Sequence, residues 1–181
     1  LASGGGAIVH AGEDGAEVVI GLMDSAGVSL LPQIRADIQD LREISNQAVA
    51  ALRRANERNP YLFLRGGPTR IEPDDGGEMI VRDLSPNRLR HELARVARWY
   101  KYGRNDQELD AKPPMDVVND VLASPRLPFP VLSTIVSAPT FAPDGTLQLT
   151  PGYHAASKTY YAPSGEVPAV PRNPSADDVN R

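Results

Sequence analysis

Between Arg82 and Arg104 the chain carries seven basic residues (Arg82, Arg88, Arg90, Arg95, Arg98, Lys101 and Arg104) against two acids, Asp83 and Glu92. That local charge of +5 stands inside a chain of formal net charge −4. The same stretch reads as a helix over 85–102, with Ser85 as N-cap, Pro86 in the first turn and Gly103 able to close the C-terminus. At about 100° per residue, Leu89, Leu93, Val96, Ala97 and Tyr100 share one face and form the expected buried side. Arg88, His91, Arg95, Arg98 and Tyr102 cluster opposite, with Trp99 beside them. Arginine forks pair with phosphate oxygens, and an indole ring can stack on a base. The candidate nucleic-acid-binding set is therefore Arg88, His91, Arg95, Arg98, Trp99, Lys101 and Arg104. Two other readings fit the same residues: an ordinary solvated helix face with Trp99 at the core margin, or a surface for an acidic protein partner.

No catalytic constellation accompanies them. His10, His91 and His154 are scattered, and none stands with a carboxylate at metal-ligand spacing. His91 and Glu92 are neighbours, so on a helix they point in different directions. Gly4-Gly5-Gly6 runs into Ala7-Ile8-Val9, whereas a phosphate loop needs a Lys–Ser/Thr pair entering a helix. Arg65-Gly66-Gly67 is read as a turn, and no G-x-S-x-G elbow occurs. The absence of cysteine excludes disulfides, thiolate chemistry and cysteine-ligated metals. We expect no catalytic residue, no metal ligand and no cofactor in this chain. A second aromatic cluster, Tyr153, Tyr160 and Tyr161 with His154 and Lys158, is better read as core and rim packing. Strand alternation would place Tyr160 and Tyr161 on opposite faces.

The elements that must position these residues follow from pattern. With 181 residues, 41% of them hydrophobic, the chain can bury one domain core, and 17 prolines and 15 glycines imply rigid loops. Residues 7–10 and 17–22 read as a hairpin around Glu13-Asp14-Gly15. Leu31, Ile34, Ile38, Leu41, Ala48, Leu52 and Ala55 form a helical stripe, as one helix or as two meeting near Ser45, ended by Asn59-Pro60. Residues 61–67 read as a strand entering a turn, and 69–72 with 78–82 as a hairpin around Pro73–Gly77. A later helix opens at Asp110 or Pro113-Pro114 and stops at Ser124-Pro125. Strands are expected at 133–138, 147–150 and 159–161, the first two joined through Pro143-Asp144-Gly145.

The fold class expected is α+β, helices followed by β-hairpins in winged-helix-like order, with an appended N-terminal hairpin. Residues 1–31 form that hairpin or the end of a preceding domain, 32–163 an α+β accessory domain, and 164–181 an extended linker. The wing order would send the second helix into the groove, yet Asp116 and Asp120 make that helix acidic. Phosphate contact is thus expected over base readout. With a pI near 5.4, no global basic field draws the chain to nucleic acid. No apolar run approaches the ~18 residues of a membrane span and no signal peptide opens the chain, so a cytoplasmic protein is expected. Leu1 in place of methionine reads as a fragment of something longer.

Three short signatures occur in order. The first is Asp40–Ile44, Ala48–Leu52 and Asn59–Gly67; the second is Leu89–Trp99 followed by Pro113–Val118; the third is Ala138–Thr146 with Pro151–His154 and Tyr160-Tyr161. This series resembles the segment just upstream of the P-loop ATPase in phage- and plasmid-type bacterial primase-helicase replication proteins. The resemblance covers about residues 40–174. It implies DNA replication in a mobile element, neighbouring primase and ATPase domains, a homo-oligomer, and single- or double-stranded DNA as partner. None of that family's Walker or primase carboxylate motifs stands in this chain. The expected role is a non-catalytic accessory or linker domain contacting nucleic acid; the alternative is a purely structural connector or an oligomerisation and protein-interaction module.

Overall fold

Proline, helix-capping side chains and β-branched runs punctuate the chain into thirteen strands, three α-helices and one short 3-10 helix among the described residues. A computed structural model describes residues 31–164 and the backbone of 7–11 and 17–22. In chain order come β1 (Ala7–Ala11), β2 (Glu17–Leu22), β3 (Gln33–Arg35), α1 (Leu41–Asn56), β4 (Leu62–Leu64), β5 (Pro68–Pro73) and β6 (Met79–Asp83). Then follow α2 (Pro86–Val96), β7 (Arg98–Tyr102), β8 (Glu108–Asp110), α3 (Met115–Ala123), β9 (Thr134–Val136) and β10 (Thr140–Phe141). The last are β11 (Leu147–Gln148), β12 (Gly152–His154) and β13 (Thr159–Tyr161). Helices and small mixed sheets together make an α+β fold, and the chain divides into two compact units, Leu1–Arg58 with Asp83–Phe129 and Asn59–Arg82 with Pro130–Arg181.

In the first unit, Asp40 starts α1: its carboxylate accepts from the backbone N–H of Arg42 at 3.0 Å and of Glu43 at 3.3 Å. The apolar stripe of α1 buries Ile44, Ala48, Ala51 and Leu52. It packs against Leu89, Leu93 and Val96 of α2 and Val117, Val118 and Val121 of α3. The expected helical stripe from 31 is corrected at its beginning. Residues 33–35 are extended because they pair in parallel with β7, placing Ile34 beside Trp99. Ser45 makes no break; it sits buried inside an uninterrupted helix.

The larger correction is the helix expected over 85–102. α2 ends at Val96, Ala97 is extended (φ −147°, ψ 148°), and Arg98–Tyr102 is the central strand of the sheet β3–β7–β8. Arg-Trp-Tyr-Lys-Tyr is a β-favouring run whose aromatic rings fit a pleated, half-buried surface. Pairing on both sides satisfies its backbone, parallel with β3 and antiparallel with β8. α3 occupies the span expected from its proline start and Ser-Pro stop.

The second unit is all strand among its described residues, with sheets β4–β5–β6 and β12–β13–β9 and a separate β10–β11 pair. Leu64 of β4 pairs with the segment leading into β9: its N–H donates to the Pro130 carbonyl at 2.9 Å, and its own carbonyl accepts from the Leu132 N–H at 3.0 Å. Phe63, Ile71 and Leu132 form the core, with Ile135, Tyr153 and Tyr160 packed against them. The tyrosine cluster is core and rim, as its alternation implies: Phe63 lies 5.0 Å from the Tyr153 ring and 6.1 Å, edge-on, from Tyr160. The Tyr153 hydroxyl donates to the Val131 carbonyl at 2.8 Å, and burial raises its pKa above the ordinary phenol value. In the turn before β6, Asp74 accepts from the N–H of Gly76 and of Glu78, both at 2.9 Å.

One expected pairing is replaced. Pro143-Asp144-Gly145 joins β10 to β11, with Thr140 opposite Gln148 and Phe141 opposite Leu147. β9 instead takes β13 as a parallel partner, so 133–138 and 147–150 do not form the hairpin a wing would need. At the N-terminus β1 and β2 pair antiparallel, while the turn expected at 13–15 lies outside the described residues. So does the linker expected over 164–181, apart from Ser164.

Candidate nucleic-acid interface

The seven candidate residues divide three ways. Arg88, His91 and Arg95 lie on α2 at steps of three and four, on the stripe opposite Leu89, Leu93 and Val96, and all three are exposed. Ser85 fixes the start of this helix, its hydroxyl accepting from the Arg88 N–H at 3.4 Å. Arg95 stands 3.7 Å from a Glu92 carboxylate oxygen, and the Glu92 side chain is fully buried. At that length the contact is a loose one, leaving the guanidinium open to an incoming anion. Arg90, by contrast, is tied into the fold, donating to the Pro113 carbonyl at 2.9 Å.

Lys101 and Arg104 belong to a different element, the β7–β8 hairpin, where both are exposed. Arg104 opens a tight turn in which Asn105 (φ 63°) and Asp106 (φ 55°) are both left-handed, a conformation that short polar side chains tolerate.

The remaining two are corrections. Trp99 is 3% exposed, and its indole N–H donates to the Leu93 carbonyl at 2.9 Å, satisfying a carbonyl in the last turn of α2. It is a core residue, not a stacking platform. Arg98 is committed across the hairpin to Glu108 at 2.7 Å and Asp110 at 3.1 Å. The hydrogen bonds it donates to Asp110 and, second, to Glu108 raise its pKa above the ordinary guanidinium value. The sequence pattern placed both on a helix, whereas on a strand alternate residues go to opposite sides.

Sequence reasoning missed the face that results. Arg98, Tyr100 and Tyr102 share one side of β7; the Tyr100 and Tyr102 rings meet edge-to-face at 5.7 Å, and the Arg35 guanidinium lies 4.8 Å from the Tyr102 ring centre. Arg35 also bonds Asp37 at 2.7 Å, and this hydrogen bond holds the Asp37 carboxyl below its ordinary pKa. Alternation in 98–102 is the signal that could have revealed it. With Asp37, Glu108 and Asp110 beside two arginines, this face is mixed in charge and gives no concentrated positive field for phosphate.

Among the described residues no group of three or more His, Asp or Glu could hold a metal ion, and no helix is long and apolar enough to cross a membrane. No family model, curated protein or solved structure matches this chain.

Proposed function

We propose that this chain is a non-catalytic accessory module of a mobile-element replication primase-helicase that meets DNA phosphates along the exposed face of α2. The observation that carries the reading is the stripe of Arg88, His91 and Arg95 on the solvent side of a capped helix, opposite its buried apolar face. The replication context rests on the order of the three sequence signatures. Arginine forks and an imidazole offer donors to phosphate oxygens and read no base edge, so the contact is independent of sequence. With Trp99 in the core, base stacking plays no part in it.

A connector or oligomerisation module is the second reading. It is favoured by the same two side chains that leave the candidate set, since Trp99 packs inward and Arg98 is neutralised by Glu108 and Asp110. Titration of a labelled oligonucleotide at rising salt separates the two. Phosphate contact gives affinity that falls steeply and linearly in log–log form; a connector gives no binding at any salt concentration.

A further inference from the structure

Among the described residues β3 is an edge strand of its sheet, bonded to β7 on one side only. The backbone N–H of Arg98 donates to the Pro32 carbonyl at 2.9 Å and that of Ala36 to the Tyr100 carbonyl at 2.7 Å, so residues 32, 34 and 36 turn their backbone groups toward β7. The N–H and C=O of Gln33 and Arg35 therefore face the free side. An open groove of about 580 Å³ lies between Pro32, Gln33 and Ile34 at the start of β3 and the C-terminal half of α1. Ile34 and the small side chains of Ala50 and Ala51 line it apolarly, and Gln47, Arg53, Arg54 and one acid, Glu57, line it with polar groups.

We propose that this groove takes an extended, acidic segment of a protein partner, added as a further strand beside β3. The lining stretch of α1 from Gln47 to Glu57 spans about 15 Å at ~1.5 Å per residue, which matches four or five residues of strand at ~3.3 Å each. The outward backbone groups alternate donors and acceptors, which another polypeptide backbone can answer in full. A phosphodiester chain offers acceptors only and would leave the Gln33 and Arg35 carbonyls unanswered. The small residues let a backbone approach, while the rim supplies charge. Arg53 meets Glu57 only at 3.7 Å with both side chains more than half exposed, a contact too weak to consume the guanidinium. Arg54 has no ion pair among the described residues and is free to fork onto a carboxylate. The proposal is independent of the α2 face and stands or falls apart from it.

The test uses the whole 181-residue chain with three probes: a terminally blocked peptide of alternating valine and glutamate, its lysine counterpart, and an oligo-dT. The glutamate peptide should shift the backbone amide resonances of Gln33 and Arg35 and slow their exchange. Arg53→Glu with Arg54→Glu should weaken it about tenfold or more. Gln33→Pro should abolish binding at an unchanged melting temperature, because it removes an outward donor and no ladder bond. If Gln33→Pro unfolds the chain, the arginine reversal alone decides. Unmoved Gln33 and Arg35 amides, equal binding of the lysine peptide, or oligo-dT shifting those amides in the peptide's place would each overturn the proposal.

Discussion

Replacing Trp99 separates a core residue from a stacking platform, and the structure fixes what each replacement should cost. The ring is 3% exposed, stands beside Ile34 in the parallel register, and its N–H satisfies the Leu93 carbonyl at 2.9 Å. Trp99→Ala removes nearly a full aromatic side chain from the interior, about 3–5 kcal/mol. It also orphans a helix-terminal carbonyl, about 1 kcal/mol more. Trp99→Phe keeps most of the packing and loses the donor, for about 1–3 kcal/mol. Against a typical domain stability of about 5–15 kcal/mol, the alanine variant should come close to unfolding the first unit. Trp99 is the only tryptophan, so urea unfolding should be followed by far-ultraviolet circular dichroism rather than by fluorescence. A Trp99→Ala midpoint indistinguishable from the parent, with DNA affinity lost, would place the ring at the surface and refute this account of β7.

Leu93→Ala, at a fully buried position of α2, should destabilise by about 2–5 kcal/mol in the same unfolding assay. Asp40→Ala should cost about 1 kcal/mol by uncapping α1, with Asp40→Asn largely restoring it; equal loss in both would show that the carboxylate does not act as a cap. The Asp37 carboxyl, held below its ordinary pKa by Arg35, stabilises the fold above the unfolded-state Asp value. That contribution disappears as pH falls through the lowered folded value. Thermal melts taken from neutral to strongly acidic pH should therefore decline on the acid side more in the parent than in Asp37→Asn, and parallel curves would contradict the pairing.

Where local chemistry decides structure, the sequence was legible. The Asp-Gly turns, the Ser85-Pro86 start of α2 and the span of α3 follow from caps, prolines and periodicity alone. The α+β class followed too. What escaped was decided by partners distant in sequence. Ile34 fits a helical stripe as well as a strand, and pairing with Trp99, far along the chain, settles it as strand. Residues 97–102 continue the apolar spacing of α2, but β3 and β8 offer a ladder on both sides, and tertiary pairing overrides propensity. The same override explains the candidate site: the stripe on α2 survived because it lies within one true helix, whereas Arg98 and Trp99 were assigned to a face that does not exist. Likewise β9 found β13 in parallel rather than its neighbour in sequence, which no turn signal announces.

The central claim is phosphate contact by α2, and the charge-reversed variant Arg88→Glu with Arg95→Glu tests it most directly. Both residues are exposed, but Arg95 stands 3.7 Å from the buried Glu92 carboxylate. The reversal sets a like charge there and should lower the melting temperature, so binding is compared at a temperature where parent and variant are both folded. Its affinity for a labelled oligonucleotide should be measured by fluorescence anisotropy between about 50 and 200 mM salt. The account predicts weaker binding and a salt slope shallower by about two units, one for each phosphate contact removed. Parent-like affinity and slope in the reversed variant, or a parent that binds no DNA at the lower salt, would contradict it.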